Sequence, residues 1–201
     1  MDGKTIATLI VTILVAFVGL IVKYLNDISF ARRLARLERI NLQLRNLYGP
    51  LYAIDQATHI AWKAFRSRYR KNQSFFSRNP PPTEADLTAW RLWIREVFMP
   101  LNLVMEKAIV ENADLIIENE IPDCFLKLIA HIAAYKPVLK KWQDGDYTEH
   151  LSMSGYPKDL RPYVETSYIK LKDERTTLIG KMKRHSDGRC CTNKVSEQTS
   201  R

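Results

Sequence analysis

Residues 5–22 read TIATLIVTILVAFVGLIV, a stretch without charge, proline or amide side chains. An α-helix rises about 1.5 Å per residue, so about 18 to 20 such residues span the roughly 30 Å hydrocarbon core of a bilayer. A core helix of a soluble protein normally keeps a polar face, and this stretch has none. A cleavable signal has a shorter apolar run and a small-x-small cleavage site, whereas KYLND follows here. The sequence therefore predicts a retained transmembrane anchor over residues 1–24.

The charges on either side of this helix predict its orientation. The short N-terminal side carries Lys4 and the free amine against Asp2, whereas the C-terminal side carries Lys23 and four arginines, which are Arg32, Arg33, Arg36 and Arg39. Cytoplasmic flanks of membrane helices carry the excess of Lys and Arg. We therefore expect a protein of the cell membrane or inner membrane, with its N-terminus outside and its C-terminal domain in the cytoplasm.

Composition predicts that the remainder forms one helical domain. The chain has 201 residues and only 7 glycines, and about 180 residues after the anchor are enough for one domain with a core. Cys124, Cys190 and Cys191 are too few and too unevenly spaced for a disulfide framework, which fits a reducing compartment. The net charge of +9 fits a protein held against an anionic membrane, and it also permits weak affinity for nucleic acid.

The predicted fold is all-α. The membrane helix continues into a juxtamembrane helix over 25–49, followed by a cytoplasmic bundle of about four further helices over 50–184 and a disordered basic tail over 185–201. Gly49-Pro50 is expected to kink or break the helix, because proline lacks an N–H and crowds the preceding turn. The continuing apolar register favours a kinked continuation, with a tight reversal as the alternative. Thr83 is the predicted N-cap of a later helix.

Apolar residues with a three–four spacing form a heptad-like seam on the juxtamembrane helix. We define this seam as Leu37, Ile40, Leu44, Leu47, Leu51 and Ile54. The same register continues through Thr58, Ala61 and Phe65. It predicts pairing with another helix, either in the same chain or in a protein partner, including a second copy of the chain.

Basic residues form a second predicted surface, which comprises Arg32, Arg33, Arg36, Arg39, Lys63, Arg66, Arg68, Arg70 and Lys71. Trp62, Phe65 and Tyr69 interleave with the later members, a mixture that can bind single-stranded nucleic acid. The aromatic spacing is also that of one helix face against a core. We therefore favour packing with a basic side toward solvent or anionic lipid, and we expect no nucleic-acid partner.

The sequence carries no recognisable catalytic or metal-binding motif. The four histidines, His59, His131, His150 and His185, stand in no His-x-x-x-His or Glu-x-x-His spacing, and no Gly-rich phosphate loop or Gly-x-Ser-x-Gly elbow is present. His131 flanks an apolar seam, where an interface histidine is the better interpretation than a ligand. We expect no metal and no cofactor.

The cysteines have two interpretations each. Cys124 falls in the first turn of a predicted helix, where the helix dipole can lower the pKa of a thiol, but no histidine partner is identified and a buried structural cysteine fits better. Cys190 and Cys191 follow Arg189, and they are candidates for palmitoylation in a eukaryotic cell. Two inert exposed thiols are the alternative.

Three segments carry a resemblance. Residues 37–52 read LERINLQLRNLYGPLY, residues 90–93 read WRLW and residues 97–102 read VFMPLN. Together they resemble a set of small bacterial membrane-anchored proteins without an assigned function, over most of residues 34–180. The resemblance implies a helical cytoplasmic domain behind one membrane helix and implies no active site. The cysteine-containing tail departs from that pattern.

Three functional hypotheses follow. The first is a membrane-tethered interaction or scaffold protein without a catalytic site. The second is a ligand- or metal-binding helical bundle, as in an enzyme, that uses His131 with the carboxylates of residues 106–120, which are Glu106, Glu111, Asp114, Glu118 and Glu120. The third is a membrane-surface adaptor that binds anionic lipid or nucleic acid through the basic run at 63–78.

Overall fold

A computed structural model describes the backbone of residues 2–71 and 74–196 and the side chains of residues 2–6, 8–71 and 74–183. Every regular element in these ranges is a helix, which confirms the predicted all-α class. In order they are α1 (Gly3–Leu42), a π-helical segment (Gln43–Tyr48), α2 (Gly49–Tyr69), α3 (Glu84–Trp93), a second π-helical segment (Ile94–Phe98), α4 (Met99–Glu111), a 3₁₀ turn (Ala113–Leu115), α5 (Asp123–Gln143) and α6 (Leu160–Ser196). The chain divides into two compact units, Met1–Asn41 with Asp173–Arg201, and Leu42–Lys172.

The apolar stretch lies in the first half of α1. Its most apolar 18-residue window has a mean hydropathy of 2.8, and none of that window is buried within the chain. Among the described residues this is the one helix long and apolar enough to cross a membrane. Two of its threonines bond back to the helix, because Thr8 donates to the carbonyl of Lys4 and Thr12 to that of Thr8, both at 2.9 Å. The hydroxyl groups are thereby satisfied inside the helix.

In the same unit, α1 and α6 are joined by a two-pronged ion pair. Arg36 donates from Nε to Oε1 of Glu174 at 2.7 Å and from Nη2 to Oε2 at 2.8 Å. Beyond this contact the backbone of α6 is described to Ser196, while its side chains are described to Lys183. The whole predicted disordered tail over 185–201 lies outside the described side chains, and the backbone of its residues up to Ser196 belongs to α6.

Both π-helical segments end two residues before a proline. At each end the residue before the proline donates its N–H five positions back, Gly49 to the carbonyl of Leu44 and Met99 to that of Ile94. Proline has no N–H and crowds the carbonyl four residues earlier, so an extra residue in the turn lets the helix pass it. The chain therefore continues helically through Gly49-Pro50, as the apolar register favoured, and it does not reverse there.

The start of α3 follows the sequence prediction. Thr83 caps the helix by accepting the N–H of Asp86 at 3.2 Å, and the Asp86 carboxylate accepts the N–H of Thr83 at 2.9 Å. This reciprocal capping box satisfies two N–H groups that the first turn leaves without helical partners. The helix thus begins where the proline run 80–82 ends.

An aromatic cluster around Phe65 forms one end of the core of unit Leu42–Lys172. Phe65 is fully buried, and its ring lies 4.9 to 6.3 Å from the ring centroids of six others, which are Trp62, Tyr69, Phe75, Trp90, Trp93 and Phe98. Buried aromatic pairs contribute about 0.5–1.5 kcal/mol each beyond their area. The predicted packing of Trp62 and Phe65 on one helix face is confirmed, and Phe75 of the loop before α3 packs into the same cluster.

Candidate ligand-binding cavity

A cavity of about 490 Å³ lies within unit Leu42–Lys172. Its lining comes from α2, α3, the second π-helical segment, α4, α5, the start of α6 and the loop 151–158. The volume lies in the range of pockets that bind small organic molecules. Most of the wall is apolar or aromatic, and its Trp, Phe and Tyr residues are Trp62, Trp90, Phe98, Tyr135 and Tyr156.

The second π-helical segment contributes directly to this wall. Ile94 and Phe98, its first and last residues, line the cavity together with Met99, which follows it. The segment exists because Pro100 has to be accommodated, so the proline shapes the wall without itself lining it. The chain stays helical through Pro100, with a local change of helix type before it.

The loop between α5 and α6 forms the opposite side, and hydrogen bonds from helix side chains hold it. Trp90 donates from Nε1 to the carbonyl of His150 at 2.8 Å, and Trp142 donates from Nε1 to that of Glu149 at 2.7 Å. The carbonyl of Ser154 lies 2.6 Å from Nδ1 of His131. Three ring N–H groups from α3 and α5 thus fix the loop, and the wall that it forms is preorganised.

Three polar side chains that line the cavity are more than nine-tenths buried. Asp55 on α2 is 5% exposed, Asn102 on α4 is 3% exposed and His131 on α5 is 8% exposed. Buried polar groups are ordinarily paired within the protein, because an unpaired one costs roughly 1–3 kcal/mol. Three of them from three helices around one cavity therefore mark this wall as the polar part of a binding site.

The carboxylate of Asp55 is incompletely satisfied. Its Oδ2 lies 3.7 Å from Nε of Arg161, and within the described side chains it accepts no hydrogen bond. Arg161 instead donates from Nη2 to Oε1 of Gln56 at 3.0 Å. Burial raises the pKa of Asp55, while the guanidinium of Arg161 acts in the lowering direction. A buried carboxylate beside a cavity, with one ionic partner and no donor, is typical of a functional site.

His131 is held in one tautomer. A carbonyl can only accept, so Nδ1 carries the proton toward Ser154 and Nε2 of the neutral ring is an acceptor. Burial lowers the pKa of His131, against a smaller raising effect of the Ser154 hydrogen bond. The neutral ring therefore adds a second acceptor to the cavity wall beside Asp55.

Other polar atoms of the lining also lack protein partners. The buried atoms Thr58 Oγ1, Asn102 Oδ1 and Tyr156 Oη have no hydrogen-bond partner among the described residues. Burial raises the pKa of the Tyr156 phenol, so this group stays a neutral donor. The wall thus offers acceptors from three helices, with hydroxyl groups that can donate or accept.

The structure brings His131 to this cavity and does not bring the predicted carboxylates. Glu106, Glu111, Asp114, Glu118 and Glu120 are all outside the lining, and Glu118 accepts the hydroxyl of Tyr163 at 2.6 Å elsewhere. Asp55 occupies the carboxylate position instead, and sequence reasoning missed it. The available signal was its place four residues after Leu51, which puts a charge on the apolar face of α2.

The heptad-like seam lies largely in the core. Ile40, Leu47 and Leu51 have no exposed surface, and Leu37, Leu44 and Ile54 are partly exposed. The chain itself covers the three buried residues, and pairing of the seam with a protein partner or a second copy stays a prediction. The π-helical segment shifts the buried face at this point, so that Gln43 and Tyr48 are buried as well.

The predicted basic surface needs correction at Arg70, while Arg36 is a partly exposed member that is ion-paired. Arg70 is 4% exposed and donates from Nη2 to the carbonyl of Pro80 at 2.6 Å, so it belongs to the core. Arg36 is paired with Glu174 as described above. Exposed positions of the set include Arg32, Arg39, Lys63, Arg68 and Lys71, whereas Arg33 and Arg66 are half-buried.

Cys124 is a buried structural residue. It is 4% exposed, and burial raises the pKa of its thiol to about 11, which outweighs any lowering by the helix N-terminus. The side chains of Cys190 and Cys191, proposed above for lipidation, lie outside the described residues. Among the described residues no group of three His, Cys, Asp or Glu side chains is arranged to hold a metal ion.

The sequence matches no family model, no curated protein and no solved structure.

Proposed function

We propose that this chain is a membrane-anchored ligand-binding protein, with α1 as the anchor and the unit Leu42–Lys172 as a cytoplasmic binding module. The observation that carries the proposal is the cavity of about 490 Å³ with three polar side chains, each more than nine-tenths buried, on its wall. The ligand is a small molecule with a largely apolar or aromatic body and at least one hydrogen-bond donor. This donor forms hydrogen bonds with the acceptor atoms of Asp55, Asn102 and His131.

The balance of energies supports binding over a purely structural role. A core that needs only stability buries apolar groups, since unsatisfied polar groups cost free energy. Asp55, Asn102 and Thr58 keep polar atoms at the cavity without donors or acceptors from the described chain. A ligand that supplies the missing partners recovers that cost, and the aromatic rings supply the contact area for its body.

The membrane part of the proposal is supported by the unburied apolar window of α1. A helix of this hydropathy that finds no cover within its own chain is stable in lipid, where its backbone is satisfied internally. Lys23 and the arginines from Arg32 to Arg39 follow the window, and they favour the C-terminal side in the cytoplasm. The ligand-binding module then samples small molecules at the inner face of the membrane.

Ligand-observed NMR on the full chain in lipid nanodiscs tests the cavity, with indole as the probe. We expect saturation transfer to indole in the natural sequence and its loss in Thr58→Trp, which fills the space beside an unpartnered hydroxyl. Thr166→Trp is the matched control because Thr166 is exposed on α6. The signal from empty nanodiscs is subtracted first. Equal saturation transfer to indole in Thr58→Trp and Thr166→Trp then refutes the cavity as the binding site.

Cysteine labelling tests the anchor in a chain with Cys190 and Cys191 replaced by Ser. A membrane-impermeant maleimide should label Gly3→Cys in intact cells, and it should label Thr166→Cys only after lysis. Two lysines introduced at Leu14 and Val18 should release the chain from alkaline-washed membranes, since each charge at a helix centre costs about 2.5–3.5 kcal/mol on insertion. Labelling of Thr166→Cys in intact cells refutes the orientation.

A further inference from the structure

The relation between Asp55 and Arg161 specifies the head group of the ligand. The two charged side chains face each other at 3.7 Å without a hydrogen bond between them, and both line the cavity. A guanidinium carries five N–H donors, of which one is used on Gln56. The pair therefore retains acceptor capacity on Asp55 and donor capacity on Arg161, side by side on the cavity wall.

We propose that the cavity binds a free amino acid with an aromatic or large apolar side chain. The α-ammonium group donates to the Asp55 carboxylate, and the α-carboxylate accepts from the Arg161 guanidinium. This inference rests on the proposed function, since it names the ligand class for the same cavity. Neighbouring opposite charges on the ligand meet neighbouring opposite charges on the wall.

A zwitterion fits this pair better than an ion of either sign. A ligand with only an ammonium group competes with Arg161 for Asp55 and leaves the guanidinium without its anion. A ligand with only a carboxylate competes with Asp55 for Arg161 and leaves a buried carboxylate without a cation, which is costly. A zwitterion separates the two protein charges and gives each one a hydrogen-bonded partner of opposite sign.

The aromatic lining fits the side chain of such a ligand. The rings of Trp62 and Trp90 lie edge to face with centroids 5.9 Å apart, and Phe98 lies 6.0 Å from Trp62. A phenyl or indole group packs favourably against ring faces and edges of this kind. Asn102 and His131 add acceptors for the remaining N–H groups of the ammonium, which has three.

Calorimetry on the full chain in nanodiscs distinguishes the head groups with three matched probes, L-phenylalanine, 2-phenylethylamine and 3-phenylpropionate. They share the phenyl body and differ in whether they carry both charges, the ammonium alone or the carboxylate alone. We expect L-phenylalanine to bind at least about tenfold more tightly than either analogue, since each lost charged hydrogen bond costs 1.4 kcal/mol or more. If either analogue binds as tightly as L-phenylalanine, the partner assigned to the charge that this analogue lacks is overturned.

Variants of the pair test which residue reads which charge. Asp55→Asn should weaken the binding of L-phenylalanine about tenfold and leave the binding of 3-phenylpropionate unchanged or tighter. Arg161→Gln should weaken the binding of L-phenylalanine about tenfold and leave the binding of 2-phenylethylamine unchanged or tighter. Arg95→Gln and Asp173→Asn, both exposed, are the matched controls. Equal loss for all three probes in both variants overturns the assignment.

The indole probe separates this inference from the proposed function. Retained indole binding shows that both variants are folded with an open cavity. If indole binds in a Thr58→Trp-sensitive manner and L-phenylalanine does not bind, the amino-acid assignment is refuted and the cavity proposal stands. If neither binds, both are refuted.

Discussion

The carboxylate of Asp55 on α2 lies 3.7 Å from the guanidinium of Arg161 at the start of α6, and this contact joins the first and last helices of the cavity wall. The carboxylate is buried, while the side chain of Arg161 is about a third exposed. A pair of this kind gives little stability, because desolvation of the charges offsets their attraction. Its position on the cavity wall is where the proposed ligand-binding role requires charged groups.

The first prediction is that Asp55→Asn stabilises the protein at neutral pH. Burial is the largest effect on the pKa of Asp55 and raises it, so the folded pKa lies above that of the unfolded chain. A group shifted in this direction contributes stability at low pH and loses it as pH rises through the folded pKa. We expect Asp55→Asn to raise the free energy of unfolding at pH 7.5 by up to about 1 kcal/mol.

Thermal unfolding of the full chain in nanodiscs, followed by circular dichroism, measures this difference. The gain should shrink as pH is lowered toward the folded pKa of Asp55, because the natural side chain then becomes neutral too. A loss of more than about 2 kcal/mol at pH 7.5 contradicts the prediction, and it identifies the pair as a structural ion pair.

The second prediction concerns Gly49 at the end of the first π-helical segment. A Cβ atom added there would overlap the carbonyl oxygen of Leu44, which accepts the N–H of the same residue. Gly49→Ala should therefore destabilise the protein by about 1–3 kcal/mol, the usual cost of overpacking. Gly180→Ala is the matched control, since Gly180 is helical with no neighbour within 4 Å of the added atom. It should stabilise by about 0.5–1 kcal/mol.

Chemical denaturation of both variants tests this contrast, with the midpoint and slope compared against the natural sequence. Equal effects of the two alanines contradict the role given to Gly49. The same comparison reports on the π-helical segment, because an ordinary α-helical turn at this point would accept alanine.

Much of the fold could be predicted from local sequence. The helical class, the Thr83 cap and the burial of Phe65 each depend on short-range patterns of polarity, capping and spacing. The effect of Pro50 was predicted as a kink or break. The shift of one hydrogen bond from four to five residues back depends on how the whole helix is packed, and a pattern of residue types does not encode it.

The cavity could not be predicted in the same way. Its lining residues lie between positions 55 and 161 on six elements, and no short motif joins them. His131 was singled out, but the carboxylates considered with it were those of residues 106–120, which lie outside the lining. Asp55 is one charge on an otherwise apolar face, and only the tertiary structure shows that this face borders a cavity.

The third prediction is that the buried Arg70 contributes more to the free energy of unfolding than the exposed Arg68 does. Arg70, which follows the last residue of α2, donates to the carbonyl of Pro80 at 2.6 Å and is buried, whereas Arg68 in the last turn of α2 is exposed. Arg70→Gln should lower the free energy of unfolding by about 2–3 kcal/mol, because it removes a charged hydrogen bond made by a buried guanidinium. Arg68→Gln should change it by less than about 0.5 kcal/mol.

Urea unfolding in nanodiscs compares the two variants at equal net charge. Binding of the same proteins to anionic and neutral vesicles then shows whether a substitution affects lipid binding through surface charge, independently of its effect on stability. Arg68→Gln should weaken any salt-dependent binding to anionic lipid, and a stability loss equal to that of Arg70→Gln would contradict its exposed position.

The last prediction is a pH dependence that arises from His131. Burial lowers the pKa of His131 below its ordinary value of 6.5, so the unfolded chain binds a proton at a higher pH than the folded chain does. Stability from this group is therefore present above about pH 6.5 and is lost as pH falls toward the folded pKa. One proton gives a slope of at most about 1.4 kcal/mol per pH unit.

We expect His131→Gln, whose amide can still donate to Ser154, to lose less stability than the natural sequence between pH 7.5 and 5.5. The acidic residues are the same in both proteins, so their titration cancels in the comparison, and parallel curves would show that the folded ring accepts a proton as readily as the unfolded one.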